Sequence, residues 1–320
     1  CSLGVLVFVR VRTGDAPWEQ DRGGCFRQYG LPWLVAADAV AFVSRGGDGS
    51  GADRKVVPLP IALTPPPAWR PRRILLIQTE SLDRSVIEDQ RWSPNVMPYL
   101  SSLVRRGFMG PVQVDAAPLV VIHGVGASAD SEYAVWFGRP PNPVLPWWSI
   151  LDEKGGASAL SQRLTERGTK VHSFHGNPGS FFSRRRNHVD YMGFASHSDR
   201  SDLGIRAYRW GSDDRDFFRE VSQRIGEVPG DSWVLHAITF SSHSPFDWVE
   251  EYGVEGGLQD AMDSLRHEFP GRSGRYLASM RYLDSVFETY LPRLMDQVDL
   301  LLIYGDHPSG LLGPDYSDGS

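Results

Sequence analysis

Four short apolar runs constrain this chain more than any other feature. Leu300-Leu301-Leu302-Ile303-Tyr304 is the strongest, and Ile74-Leu75-Leu76-Ile77 is of the same kind. Trp233-Val234-Leu235, resumed by Ile238-Thr239-Phe240, is a third, and Val171-His172-Ser173-Phe174 a weaker fourth. A run without polar alternation needs cover on both faces, which is the condition of a parallel strand. Between the runs lie stretches of helical spacing. Residues 98–106, 148–167 and 214–225 each stop at a glycine (Gly107, Gly168, Gly226) able to close a helix. Leu277, Met280, Leu283, Val286, Phe287, Tyr290 and Leu294 mark a longer helix, in which Pro292 is expected to make a kink or break. Strands alternating with helices predict an α/β fold, a doubly wound, mostly parallel sheet flanked by helices.

That pattern belongs to residues 73–320. Residues 44–72 pass from a Gly-rich segment (Gly46-Gly47-Asp48-Gly49-Ser50-Gly51) to Pro65-Pro66-Pro67, flexible and then stiff, and read as a linker. Residues 1–43 hold aromatic and apolar patches and begin with an apolar segment at 3–9. Seven residues do not span a bilayer, which takes roughly 20. The segment reads either as the end of a transmembrane helix or as a short buried strand.

Composition removes several functional classes. With 41% hydrophobic and 22% charged residues the chain is globular. Its 33 Lys and Arg against 39 Asp and Glu give a formal net charge of −6, with no long basic block, so a nucleic-acid surface is not expected. The one basic cluster, Arg184-Arg185-Arg186, can at most hold an anion locally. Two cysteines, Cys1 and Cys25, build neither a disulfide framework nor a Cys-rich metal site.

In an open parallel sheet, ligands bind outside the carboxyl ends of the strands. The residues that follow the four runs are Gln78-Thr79-Glu80-Ser81, Gly305-Asp306-His307, Ser241-Ser242-His243-Ser244-Pro245-Phe246 and His175-Gly176-Asn177. Each run therefore ends in carboxylate, imidazole or hydroxyl groups. Glu80, Asp306 and His307 together offer two hard oxygen donors and an imidazole, a set suited to Mn²⁺, Mg²⁺ or Zn²⁺. Such an ion activates a hydroxyl and stabilises charge on a phosphoryl or sulfuryl oxygen. A hydroxyl stands in Gly124-Val125-Gly126-Ala127-Ser128-Ala129-Asp130-Ser131-Glu132-Tyr133, after glycines and before a helix. Spacing alone leaves two roles open for Ser128, nucleophile or helix cap.

Taken in order, these segments form a set, together with Ser93-Pro94-Asn95 and Ser180-Phe181-Phe182-Ser183-Arg184. The set resembles lipoteichoic acid synthase-like proteins, the sulfatase-domain branch of the alkaline phosphatase superfamily, over roughly residues 72–310. The resemblance implies a catalytic domain whose Glu80, Asp306 and His307 bind one divalent metal, commonly manganese. Ser128 falls on the family's nucleophilic threonine, which also touches the metal. His175, Arg184 and His243 fall on residues that bind a phosphoglycerol head group, and Phe182 stands where tryptophan is usual. The implied chemistry is attack on a phosphodiester of an anionic phospholipid, a covalent phospho-enzyme, and transfer to an acceptor hydroxyl or water. The implied location is the outer face of a bacterial cytoplasmic membrane, with an anchor preceding residue 1 and further strands following residue 320. Serine keeps the hydroxyl of threonine but loses the methyl that restricts its rotamer. Two other readings remain. A sulfate-ester hydrolase would need a formylglycine signal with Pro and Arg after the nucleophile, and Ala129-Asp130-Ser131-Glu132 has neither. A catalytically inactive binding domain would bind no activating metal.

Overall fold

A computed structural model describes residues 2–11, 71–88, 96–106, 108–109, 112–121, 128–138, 159–209 and 211–312 of the 320-residue chain. Residues 44–70 of the linker, both cysteines, Ser93-Pro94-Asn95, the glycines at 124 and 126, and residues 148–158 of one expected helix lie outside them. Eight strands occur among the described residues: β1 (Ser2–Val11), β2 (Arg73–Thr79), β3 (Phe108–Met109), β4 (Val112–Val121), β5 (Lys170–His175), β6 (Ser196–Ser198), β7 (Trp233–Ile238) and β8 (Leu300–Gly305). They form one sheet in the order β3-β4-β1-β8-β2-β7-β5-β6. The five strands from β8 to β6 are mutually parallel. The apolar segment at 3–9 falls in β1, which pairs antiparallel with β8 and β4. No helix among the described residues is long and apolar enough to cross a membrane.

The helices that matter for the site are α1 (Pro98–Arg106), α2 (Ser128–Phe137), α3 (Leu160–Glu166), α4 (Asp214–Arg224), α5 (Gly256–Glu268) and α6 (Arg272–Met295). Alternate residues of each apolar run go to opposite cores. Leu75, Ile77, Leu235, Leu301 and Ile303 join the core built with α1, α4, α5 and α6. Ile74, Leu76, Val234, Leu300 and Leu302 join the core built with α2 and α3. Each such side chain, fully buried, contributes about 1.5–3 kcal/mol, and the two-sided cover explains why the runs lack polar alternation.

Helix α6 does not break at Pro292 but continues through it to Met295. The proline stands in the last turn, so its missing N–H removes a single bond near an end where the ladder stops anyway. The start of α1 is closed from outside. Asp284 of α6, fully buried, accepts from the backbone N–H groups of Tyr99 and Leu100, each at 2.8 Å.

Register delivers the functional residues. Thr79 of β2 lies beside Gly305 of β8, so the next residues, Glu80 and Asp306, leave adjacent strands at the carboxyl edge together. Gly305 has no room for a side chain, since a Cβ there would meet the Leu82 carbonyl oxygen at 2.4 Å.

Candidate active site

Glu80 is fixed by its backbone before its carboxylate does anything. Its N–H donates to Thr239 Oγ1 at 3.0 Å and its carbonyl accepts from Ser242 Oγ at 2.6 Å, both just past β7. Ser81 turns the chain sharply with φ of 53°. Its N–H donates to Asp306 Oδ1 at 2.8 Å, and its hydroxyl to Glu80 Oε1 at 2.8 Å. Asp306 Oδ1 also accepts from the His307 N–H at 2.7 Å. His307 Nδ1 donates to the Pro308 carbonyl at 3.0 Å, which leaves Nε2 facing inward, 3.3 Å from Glu80 Oε1.

These three side chains carry the charge logic of a cation site. Burial pushes the Glu80 carboxyl up, but His307 beside it outweighs that and holds it at about 2. Burial and the neighbouring Glu80 lift Asp306 to about 6. The His307 imidazole is pushed down by burial yet raised to about 11 by Asp306 and Glu80. The pair of carboxylates thus demands a positive charge, which the imidazolium supplies when no other does. Two further observations fit a divalent ion. One donor atom from each of Glu80, Asp306 and His307 lies within 4.8 Å of the others. Asp306 Oδ2 is buried and accepts no hydrogen bond from the protein.

Ser128 opens α2 and is buried. Its hydroxyl donates to Glu80 Oε2 at 3.1 Å, so in this arrangement it is turned to the carboxylates and not to the helix backbone. The Asp306 carboxyl is also within the reach of that hydroxyl. One O–H proton faces two acceptors, and giving it to Glu80 leaves Asp306 Oδ2 open. The four residues Glu80, Ser128, Asp306 and His307, up to 227 positions apart in sequence, therefore meet at one point.

The remaining expected residues lie at or beyond the carboxyl ends of β5 and β7. His175 ends β5 buried, and its Nδ1 donates to the Ile238 carbonyl at 2.9 Å. Burial and the Arg184 charge bring its pKa down to about 3, so the ring is neutral and Nε2 is an acceptor. His243 follows β7 with its ring stacked on Phe240 at 5.4 Å. Arg184 is buried, with Nε and Nη2 on the Glu132 carboxylate at 2.6–3.2 Å and Nη1 buried without a partner. Phe182 and Ser183, both with φ above 50°, bring the chain into Arg184, and the Phe182 ring centre lies 5.6 Å from the guanidinium carbon.

The arginine triplet is not one basic patch. Arg185 pairs with Asp199 and Asp202, and Arg186 stacks on Tyr191 at 5.1 Å. Sequence reasoning also passed over the polar layer beneath the site, formed by Gln78, Glu132, His236 and Tyr304. Its signal was present: polar residues embedded in apolar runs, and an acid one helical turn after Ser128. A separate cavity of about 470 Å³, lined by Arg72, Arg73, Trp233 and Asp299 among others, opens at the amino ends of β2 and β7 and holds none of these groups.

Comparison with known proteins follows the same lines. The profile of the Sulfatase family matches residues 72–318. No curated protein sequence matches the chain. Among solved structures, the lipoteichoic acid synthase LtaP of Listeria monocytogenes is 18% identical with a TM-score of 0.57, over 74% of this chain and 56% of that one. An alkaline phosphatase superfamily protein from Vibrio parahaemolyticus is 17% identical with a TM-score of 0.56, over 91% and 67%. The periplasmic domain of EptC from Escherichia coli, solved with Zn, is 14% identical with a TM-score of 0.50, over 74% and 64%. At such identities the likeness is one of fold, and the chain spans little more than half of LtaP. The profile covers most of the chain, and the chain belongs to the Sulfatase family.

Proposed function

We propose that this protein is a metal-dependent transferase or hydrolase acting on a phosphodiester of a lipid head group, through a covalent phospho-serine at Ser128. The observation that carries the proposal is the Ser128 hydroxyl, held at 3.1 Å on a carboxylate that also faces His307. Glu80, Asp306, His307 and Ser128 would hold one divalent ion, Mn²⁺ first and Mg²⁺ or Zn²⁺ as substitutes. When bound, it lowers the pKa of the serine hydroxyl and offsets charge on the phosphoryl oxygens.

The chain's own groups do the rest. Ser128 Oγ attacks phosphorus while the bond to the diacylglycerol oxygen breaks; the serine hydroxyl releases its proton to solvent water, and the leaving diacylglycerol oxygen takes one from solvent water. Arg184 Nη1 and the amino end of α2 face the charge that develops on the phosphoryl oxygens. His175 Nε2 accepts a hydroxyl of the head group, and His243 and Phe182 line it. An acceptor hydroxyl or water then takes the phosphoryl group from Ser128. The membrane is the natural source of such a substrate, and we place the enzyme at the extracytoplasmic face of a bacterial cytoplasmic membrane, as the periplasmic EptC domain of similar fold supports.

Ser128→Ala tests the assignment. With phosphatidylglycerol and with simple phosphodiesters, turnover should fall by about 10³-fold or more, while Mn²⁺ binding persists. Unchanged turnover would remove Ser128 from the mechanism. The match to the Sulfatase profile is what favours a second reading, a sulfate-ester hydrolase, against the missing formylglycine signal after Ser128, and aryl sulfates in the same assay distinguish the two.

A further inference from the structure

The Glu132 carboxylate is 1% exposed and accepts from four nitrogen atoms. Arg184 Nε and Nη2 reach it at 3.1 and 2.6 Å, His188 Nε2 at 2.9 Å and Gln78 Nε2 at 3.5 Å. The same Gln78 amide nitrogen reaches the carbonyl of Ser128 at 3.4 Å. Glu132 stands one turn after Ser128 on α2, on the same helix face.

The protons around this carboxylate can be assigned one by one. The Tyr304 hydroxyl donates to Gln78 Oε1 at 2.6 Å, which turns the amide nitrogen of Gln78 toward Ser128 and Glu132. Trp136 Nε1 donates to His236 Nδ1 at 3.3 Å, so His236 carries its proton on Nε2 and gives it to Tyr304 at 3.2 Å. On the other side, His188 donates Nε2–H to Glu132, so its Nδ1 accepts from Ser173 Oγ at 2.8 Å. Ser173 in turn accepts from His197 Nδ1 at 2.8 Å. Every hydrogen bond of this buried layer then has one donor and one acceptor, and the layer permits one orientation of the carboxylate.

The consequence falls on Arg184. Its guanidinium is a rigid fork, and Glu132 occupies two of its three nitrogens. The third, Nη1, is buried without a partner, so it is the donor left for a ligand.

We propose that Glu132 is a positioning residue: it fixes the Arg184 guanidinium in register with Ser128, so that the donor for a tetrahedral phosphoryl group and the nucleophile form one rigid unit. This rests on the reading of Ser128 as nucleophile and of Arg184 as phosphoryl ligand. Glu132 itself touches no substrate and acts through Arg184 alone.

A double-mutant cycle tests it, using the Mn²⁺-loaded protein and bis(p-nitrophenyl) phosphate. Arg184→Gln should lower kcat by about 10²-fold. Glu132→Gln should lower kcat by about tenfold to 10²-fold, with KM changed less than about threefold, because a misplaced guanidinium costs more in the transition state than in the bound substrate. In the double variant both members of the buried pair are neutral, which avoids an unpaired buried charge. Its kcat should equal that of Arg184→Gln within about threefold. A wild-type kcat in Glu132→Gln, or a double variant slower than Arg184→Gln by a further tenfold, would overturn the proposal. If Glu132→Gln alone does not fold, the comparison of Arg184→Gln with the double variant decides. An inactive wild type would instead defeat the phosphodiester reading, and a wild type that is active and loses activity in Ser128→Ala isolates the result to Glu132.

Discussion

Asp306 illustrates how closely each residue of the site is used. One carboxylate oxygen accepts from the Ser81 and His307 backbones, and the other is buried and open. Asp306→Asn offers those two backbone donors a carbonyl oxygen and turns an amide N–H₂ to the open side, where a cation would lie. Calorimetric titration with Mn²⁺ should show affinity reduced by about 10²-fold or more; wild-type affinity would remove Asp306 from the ligand set. This triad was legible in the sequence because polar groups directly after a doubly covered strand have few structural uses. The Glu132–Arg184 pair was not. Its partners are 52 positions apart, and an arginine inside a triplet of arginines reads as surface.

At the scale of elements, legibility followed burial. Strands β2, β5, β7 and β8 announced themselves because both faces are covered, whereas β6, Ser196-His197-Ser198, is wholly polar and gave no apolar signal. Its place is set by pairing with β5 and by the His197–Ser173 hydrogen bond. Nor could β4 be read, with Gln113, Asp115 and Pro118 interrupting its apolar residues. The closure of α1 by Asp284 is likewise a contact between distant segments. Burial lifts the Asp284 carboxyl to about 6, against the pull of the two N–H donors. Asp284→Ala removes the acceptor of both N–H groups and leaves that of Leu100 buried without it, which should lower stability by about 1–3 kcal/mol in urea denaturation. A change below about 0.5 kcal/mol would mean that α1 is held by packing alone.

For the molecule as a whole, the buried neutral histidines connect the site layer to stability. Burial holds the His197 ring at about 2, against 6.5 when free. A folded-state pKa below the unfolded value gives stability that is complete above pH 6.5 and lost as pH falls, since the unfolded chain takes up the proton first. His197→Asn keeps a donor for Ser173 and removes that titration. Between about pH 6 and pH 4 the variant should lose less stability than wild type, by about 1.4 kcal/mol per pH unit; parallel pH profiles would contradict the assignment. The same whole-molecule view explains why the fold class could be read early and the chemistry only in part. The fold class follows from apolar runs alternating with helical spacing, while the site exists only after β2, β7, β8 and α2 have come together.

The most direct measurement is the position of manganese in crystals of the protein soaked with Mn²⁺, located by anomalous scattering at the manganese edge. One site is predicted, within coordination distance of Glu80, Asp306, His307 and the Ser128 hydroxyl. Manganese bound elsewhere, or bound there with the Ser128 hydroxyl turned away to cap its own helix, would contradict the account.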